Sequence, residues 1–263
     1  MNCDQRAIRF NCLGSSMIGI IDLPERPLPR GVLVVAGQPD SRLGAQRQFA
    51  MLARALARRG FAVMRFDRRG VGDSEGCDYN DSDVRAAVQE FCQQVPGVRE
   101  VVLLAPGSGS AIATASACAR IDPRVRALLL LDPRRRANAA RTAHMLAPPV
   151  PAPAPIGAAL FWRRSQPPRR GPSSGARLAG LAEQLCAFPG QVLVVAATSA
   201  WAGPTPAQAE VRQLRALVER AGTSNRVQII DDAAPAPADR AAGGRLDGDA
   251  LRAATCASWM VSW

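Results

Sequence analysis

The stretch VVLLAPGSGSAIATASA, residues 101–117, decides how the chain folds. An apolar run ends in a cluster of small residues, and a helix-prone, alanine-rich segment follows without a break. This pattern is typical of a buried strand that turns sharply into a helix, a geometry that can present a nucleophilic side chain at the turn. The stretch therefore predicts a strand, a tight turn and a helix, with a candidate nucleophile among its Gly and Ser residues.

Apolar runs of the same kind recur along the chain. The later runs are short, rich in Val and Leu and apolar throughout, as expected for a parallel sheet that is covered on both faces. The first two runs are close enough in sequence to form an antiparallel hairpin. The predicted strands are residues 7–12, 17–23, 31–37, 61–67, 100–105, 126–132, 191–197 and 226–231.

Amphipathic segments lie between the later strands. They are residues 45–59, 81–95, 110–120, 206–221 and 251–263. Strands that alternate with helices predict an α/β fold with a mostly parallel, eight-stranded sheet and helices on both of its faces. A length of 263 residues fits a single domain that spans the whole chain, residues 1–263.

One region interrupts the alternation. Residues 133–180 include PPVPAPAPIGAALFWRRSQPPRRGPSSG and are too rich in Pro for a regular helix and too long for an ordinary connection. They follow the sixth predicted strand, so an insertion here would overhang the carboxyl edge of the sheet, where ligands bind in open α/β folds. We interpret this region as a short cap or lid, and the alternative is a disordered linker.

The composition limits cofactors and location. Seven cysteines are scattered without CxxC pairs, and His144 is the single histidine, so we expect reduced thiols, no metal site and no cofactor. No stretch is apolar enough over about 18 residues to span a bilayer, and no targeting segment is evident at the start. The sequence thus predicts a cytoplasmic protein with no transmembrane segment.

The charge is strongly basic, at +11, and every one of the 33 basic residues is arginine. Such a bias matches GC-rich codons, and most of the arginines are spread along the chain, which disfavours nucleic acid as a partner. The densest run is Arg134, Arg135 and Arg136. This run is a candidate site for an anionic partner, against the alternative of a solvated basic face.

Residues 37–76 carry a specific resemblance. They read GQPDSRLGAQRQFAMLARALARRGFAVMRFDRRGVGDSEG, and further agreement lies in DSDVRAAVQEF, DPRVRALLLLDP, FWRR and FPGQVLVV. These motifs resemble the exosortase A system-associated hydrolases of the "hydrolase 1" group, which belong to the α/β-hydrolase superfamily. The resemblance covers about three quarters of the chain. It implies the α/β-hydrolase fold, an association with bacterial exopolysaccharide loci and a small-molecule ester or acyl ligand.

Two loops of this motif have proposed roles. Hydrolases of this fold place a backbone N–H of the oxyanion hole after the third strand, where Gln38 can supply it and Pro39, which has no N–H, cannot. The second oxyanion donor would be the N–H of Ser108. After the fourth strand, residues Arg69, Gly70, Gly72, Asp73 and Ser74 predict a tight structural turn, in which Gly permits left-handed angles and Asp73 bonds nearby backbone N–H groups.

The turn after the fifth predicted strand can be aligned with a nucleophile elbow in three registers, each with a different residue at the nucleophile's position. A nucleophile elbow needs small residues two positions before and after the nucleophile. With Ser108 as nucleophile these positions hold Pro106 and Ser110, and with Ser110 they hold Ser108 and Ile112, so neither register fits well. With Gly107 both flanking residues are small, and the resemblance selects the same register. Glycine has no nucleophilic atom.

The other two triad positions are also altered. The resemblance places Ser199, or a neighbour, where the family has its acid after the seventh strand. In the later Gly-x-Asp-His motif, Asp239 matches the Asp and Arg240 stands in place of the His. Arginine is not a general base at neutral pH, because its pKa exceeds about 12.

Three functions follow as hypotheses. The first is a hydrolase-family protein that has lost its triad and retains a binding or scaffold role. The second is an active serine hydrolase of the ester or thioester class, in which Ser108 attacks and a displaced group assists. The candidates for that group are Asp132, Asp231 and His144. The third is an arginine-mediated binder of an anionic partner.

Overall fold

The computed structural model describes residues 3–37, 40–44, 47–77, 80–106, 115, 117–131, 188, 190–197, 216, 226–230 and 244–262. Its strands are β1 (Cys3–Cys12), β2 (Ser15–Pro24), β3 (Arg30–Val34), β4 (Val63–Phe66), β5 (Glu100–Pro106), β6 (Val125–Leu131), β7 (Gln191–Ala197) and β8 (Arg226–Ile230). Its labelled helices are α1 (Gln48–Ala57), α2 (Asp81–Gln94) and α3 (Gly244–Val261). The predicted cap, residues 133–180, and almost all of the predicted helix 206–221 lie outside the described residues.

The described strands form one sheet in the order β1-β2-β4-β3-β5-β6-β7-β8. Strand β2 pairs antiparallel with both β1 and β4, and all other neighbours are parallel. This is the mostly parallel sheet that the sequence predicts, with the hairpin at its first edge. All the parallel strands point the same way, so their carboxyl ends form one edge of the sheet and their amino ends form the opposite edge.

Helices cover both faces of the sheet. Successive strand residues point to opposite faces, so Val32 and Val34 contribute to one core, whereas Leu33 contributes to the other. Helices α1 and α3 pack over the first core, through residues such as Phe49 and Trp259. Helix α2 packs over the second core, as do the described residues around position 118.

The boundaries of two elements differ from the prediction. Strand β3 ends at Val34 rather than residue 37, because the chain leaves the ladder after Val35 donates its N–H to Leu104 O at 2.8 Å. Helix α3 begins at Gly244, seven residues before the predicted start. The sequence did not predict these first turns because they contain two glycines, which lower local helix propensity. Within the described part of the chain, no helix is long and apolar enough to cross a membrane.

Candidate functional site

Strands β3 and β5 bring two of the candidate loops to the same edge. The two strands are parallel neighbours, with Val34 opposite Leu104, so the loop after β3 leaves the sheet beside the end of β5. Strand β5 ends at Pro106, which pairs with Leu131 of β6. The candidate elbow residue Gly107 is the next residue in the chain. The carboxyl edge between β3 and β6 is therefore the candidate site.

The predicted residues of the triad, the oxyanion hole and the basic run lie outside the described residues. By chain order, several follow the carboxyl ends of described strands: Asp132 comes after β6, Ser199 comes shortly after β7, and Asp231 comes after β8. The predicted site residues that the structure does not describe are Gln38, Gly107, Ser108, Asp132, Arg134, Arg135, Arg136, His144, Ser199, Asp231, Asp239 and Arg240.

The loop after β3 contains a closed turn at its first residues. The N–H of Asp40 donates to the carbonyl of Gly37 at 2.8 Å. Gly37 is buried. This backbone hydrogen bond lies on the carboxyl edge, where the chain leaves β3.

Asp67 is the polar centre of the described site. Its carboxylate, which is fully buried, accepts from the backbone N–H of Arg42 at 2.6 Å and from that of Asp73 at 3.2 Å. It also accepts from the Nη1 of Arg42. A buried carboxylate needs such donors, because an unpaired charge away from water is costly. Asp67 therefore ties the loop after β3 to the loop after β4.

Arg42 completes this connection on the side of the β3 loop. Its Nη2 donates to Asp73 Oδ2 at 2.6 Å, and its carbonyl accepts from the Nη1 of Arg65 at 3.2 Å. Burial alone would lower the pKa of Arg42, but its hydrogen bonds to Asp73 and Asp67 raise the pKa above the ordinary value. Arg42 is thus a firmly charged residue with both its main chain and its side chain held in place.

The turn after β4 depends on two glycines. Gly70 has φ 73° and Gly72 has φ 57°, in the left-handed region that favours glycine. A Cβ at Gly72 would collide with the carboxylate of Asp67. The hydroxyl of Ser74 donates to Asp67 O at 2.8 Å and accepts from the N–H of Ile18 at 2.9 Å, which fixes the turn to β2.

The structure corrects the predicted role of Asp73. The sequence assigns to Asp73 the binding of nearby backbone N–H groups, but in the described structure its carboxylate accepts from the Arg42 side chain. Asp67 accepts from the backbone instead. The reason is burial: Asp67 is enclosed at the end of a strand, whereas the Asp73 side chain is 70% exposed.

Arg69 anchors the same turn to α2. Its Nε and backbone N–H donate to the carboxylate of Asp83 at 2.7 and 3.2 Å. The thiol of Cys12, at the end of β1, approaches the same carboxylate at 3.5 Å. Burial, and then the nearby charge of Asp83, raise the pKa of Cys12 above its ordinary value. The contacts give Arg69 a structural role and leave Cys12 a protonated thiol.

A buried ion pair supports Arg65 behind this site. The Nε and Nη2 of Arg65 donate to one carboxylate oxygen of Asp22 at 3.1 and 2.9 Å, and Gln5 donates to the other at 2.5 Å. Sequence reasoning missed this pair and the Arg42–Asp67 pair. The sequence does carry a signal for the Arg42–Asp67 pair. Asp67 directly follows a buried strand, and Arg42 lies in the segment 37–76 that resembles the hydrolase family. Among the residues described, no cluster of His, Cys, Asp and Glu could hold a metal ion.

The architecture and the comparisons define the class of protein. Solved structures that are similar over nearly the whole chain include two esterases and a thioesterase domain. The Pyrococcus furiosus esterase Pf2001 matches with a TM-score of 0.63 at 11% identity, over 99% of this chain and 93% of that one. The esterase domain of a Rhodothermus marinus protein matches with a TM-score of 0.57 at 19% identity, over 97% of each chain. The thioesterase domain of the curacin biosynthetic pathway matches with a TM-score of 0.53 at 17% identity, over 100% of each chain.

These similarities confirm the predicted α/β-hydrolase fold. Residues 43–177, just over half of the chain, match the family model for hydrolases described as serine aminopeptidase, S33. The chain belongs to this family. Among curated proteins, no sequence matches significantly.

Proposed function

We propose that this chain is an α/β-hydrolase-family protein that has lost the usual catalytic triad and retains a binding or scaffold role. The observation that carries the proposal is the residue at the elbow. Strand β5 ends at Pro106, and the residue that follows, in the register of small flanking residues, is Gly107. A hydrolase of this fold needs Ser, Cys or Asp at this position for nucleophilic attack.

The two partners of the nucleophile are replaced as well. By resemblance, Ser199 stands at the position of the acid and Arg240 at that of the histidine, next to Asp239. Loss of a triad costs roughly a millionfold in rate and leaves only what binding and the oxyanion hole contribute. Because all three positions are altered, a single conservative exchange does not rescue the chemistry.

The acids in the described part of the site have structural roles, and neither of them provides a new catalytic group. Asp67 accepts three hydrogen bonds, two of them from Arg42, and Asp83 is paired with Arg69 at 2.7 Å. Both carboxylates are fully buried, and their oxygens accept from guanidinium and backbone N–H donors, so they are not presented to a ligand. These two acids therefore do not replace the missing members of the triad.

The proposed ligand is a small ester or acyl compound. The similar structures include esterases and a thioesterase domain. In open α/β folds, ligands bind at the carboxyl edge of the sheet. The resemblance of residues 37–76 to exosortase A system-associated hydrolases is the support for a proposed role at exopolysaccharide loci. In this role the protein would bind such a ligand, or present it to a partner, without hydrolysing it.

An active serine hydrolase is the second candidate. Ser108 lies one position after the elbow register, and the fold is that of esterases. In this alternative Ser108 attacks, and Asp132, Asp231 or His144 assists.

A fluorophosphonate probe separates the two candidates, because it labels activated serines covalently. We expect no labelling of the full-length protein. Labelling that is abolished in Ser108→Ala but retained in Ser110→Ala, the matched control, would establish the second candidate and overturn the first.

A restored variant serves as the positive control for access to the site. It carries Gly107→Ser, Ser199→Asp and Arg240→His, and circular dichroism checks its fold. We expect this variant to react with the probe. If neither it nor the original protein reacts, the site does not admit an acyl-type ligand, and the ligand part of the proposal fails.

A further inference from the structure

The edge of the sheet opposite the candidate site forms a continuous surface, which we call the amino rim. Within the described residues it consists of the loops that precede β3, β4, β5 and β6, together with the end of α3. Backbone hydrogen bonds join these loops side by side. They run from Leu28 N–H to Gly60 O (2.8 Å), from Arg99 N–H to Pro29 O (2.7 Å) and from Val101 N–H to Arg124 O (2.8 Å). The Nη1 of Arg30 donates to Met260 O and attaches the end of α3 to the same surface.

The amino rim has an excess of positive charge. Two of its acids are neutralised locally, since Glu100 pairs with Arg30 and Asp122 pairs with Arg124, both at 2.7 Å. Within the described chain, six further exposed arginines of the rim form no ion pair, and three further acids, Asp4, Glu25 and Glu90, lie at or beside this edge. These arginines are Arg26, Arg58, Arg59, Arg99, Arg120 and Arg126.

The opposite edge is closer to neutral. The loops at the carboxyl ends of the strands and the start of α2 carry six described acids: Asp40, Asp67, Asp73, Glu75, Asp81 and Asp83. Four of these acids pair with arginines of the same edge, since Asp67 and Asp73 pair with Arg42, Asp83 with Arg69 and Glu75 with Arg9. The excess of positive charge is therefore greater at the amino rim than at the carboxyl edge.

Apolar side chains stand among the arginines of the rim. Leu28 is 37% exposed, Ile121 is 58% exposed and Val261, at the end of α3, is 69% exposed. Three of the five large hydrophobic residues exposed in the described structure lie on this one edge. Basic residues interspersed with exposed aliphatic side chains are the combination that binds the interface of an anionic membrane.

We propose that the amino rim is a docking surface for an anionic lipid bilayer. The rim extends across β3, β5 and β6, strands that lie about 4.8 Å apart, and on to the end of α3, so it presents a broad face rather than a narrow track. The aliphatic side chains have a partner in the acyl region of a bilayer. A nucleic acid would leave them in water and would favour exposed aromatic residues for base stacking. Docking in this orientation directs the candidate site at the carboxyl edge away from the membrane.

Vesicle co-sedimentation of the full-length protein tests this proposal. The probes are phosphatidylcholine vesicles with and without about 30% phosphatidylglycerol, at moderate salt. We expect binding only to the anionic vesicles. The rim variant Arg58→Gln, Arg99→Gln, Arg126→Gln should bind them about a hundredfold more weakly, at roughly fivefold per arginine.

A matched variant removes the same charge elsewhere. Arg9→Gln, Arg47→Gln, Arg85→Gln changes three exposed arginines that lie towards the carboxyl edge and should bind as the original protein does. A second variant, Leu28→Ser, Ile121→Ser, keeps the charge and should also weaken binding. Circular dichroism and thermal unfolding check that each variant folds.

Three results would overturn the proposal. One is an absence of binding to anionic vesicles. Another is an equal loss of binding in the matched variant, which would show a general effect of net charge. The third is binding to duplex DNA that depends on the rim arginines and is unaffected by Leu28→Ser, Ile121→Ser, which would identify nucleic acid as the partner.

Discussion

Asp67 determines the local shape of the carboxyl edge beside the candidate elbow. Its side chain is fully buried, and it holds the main chain at Arg42 and Asp73 together with the Arg42 guanidinium. These contacts join loops that lie 25 residues apart in sequence. A single carboxylate thus fixes how the loop that contains position 38 leaves the sheet.

Replacement of this carboxylate should be costly. In Asp67→Asn, the amide group replaces one acceptor oxygen, and the charge of Arg42 loses its buried partner. We expect the free energy of unfolding, measured by urea titration, to fall by about 3 kcal/mol. Asp73→Asn is the matched control, because the Asp73 side chain is 70% exposed and its ion pair with Arg42 contributes less than about 1 kcal/mol. Equal losses in the two variants would contradict this role for Asp67.

The sequence predicts some of the site residues and not others, for a physical reason. Gly107 and Arg240 can be examined from their places in recognisable motifs, because an elbow and a loop motif are local patterns. The Arg42–Asp67 pair is different, since its partners meet only when two loops fold onto one edge. The prediction for Asp73 used only its neighbours in the turn. In the structure the backbone N–H groups bond to Asp67 instead, because Asp67 is the buried carboxylate.

At the scale of elements, hydrophobic runs predict the sheet well. Each observed strand overlaps a predicted one, because a strand covered on both faces is recognisable from continuous apolar residues alone. One charged residue interrupts these apolar runs: Arg65 lies in β4 and is only 1% exposed. Its burial depends on Asp22 of the neighbouring strand, a pairing that follows from sheet order and not from the local sequence.

The hairpin between β1 and β2 offers a test at the same scale. Cys12 pairs with Ser15, so Leu13 and Gly14 form a two-residue turn, with φ of 51° and 83°. Both angles are positive, as in a type I′ turn, for which Asn-Gly is strongly preferred. Leu13 is 68% exposed and gains little from packing in this unfavourable conformation.

We therefore expect Leu13→Asn to raise the free energy of unfolding by about 1 kcal/mol in urea titration. Leu13→Ala is the control, since it removes the same exposed side chain without the left-handed preference of Asn. It should change stability by less than about 0.5 kcal/mol. A stabilisation of the same size in both variants would attribute the effect to loss of the exposed side chain rather than to the turn.

The whole molecule differs along two directions, from one edge of the sheet to the other and from one face to the other. Along the strands, the candidate site and the amino rim occupy opposite edges. Across the sheet, two cores lie on opposite faces, and each contains a fully buried thiol: Cys118 is in the core under α2, and Cys256 is in the core under α1 and α3. The two thiols therefore report on both halves of the interior at once.

Burial raises the pKa of Cys118 to about 12, with a further contribution from Asp122, and burial raises that of Cys256 to about 12 as well. In the unfolded chain both thiols titrate near the ordinary value of 9.0. Below that pH both states keep the protons, and the stabilising effect of the raised pKa is fully present. As the pH rises from about 9 towards 12, the unfolded state loses protons that the folded state retains, so stability falls.

The expected slope is about 1.4 kcal/mol per pH unit for each thiol. Urea titrations followed by tryptophan fluorescence, at several pH values from about 8 to 10.5 with a non-thiol reductant, measure it. Cys118→Ala and Cys256→Ala should each lower the measured slope by about 1.4 kcal/mol per pH unit, whatever their effect on stability at pH 8. Cys12 and Cys92, whose pKa values are also raised, contribute equally to the slope of the original protein and of both variants. Cys3→Ala, at an exposed position, is the control and should leave the slope unchanged. If either core variant keeps the full slope, its thiol is not buried in the folded state as described, and the packing of that face of the sheet is different.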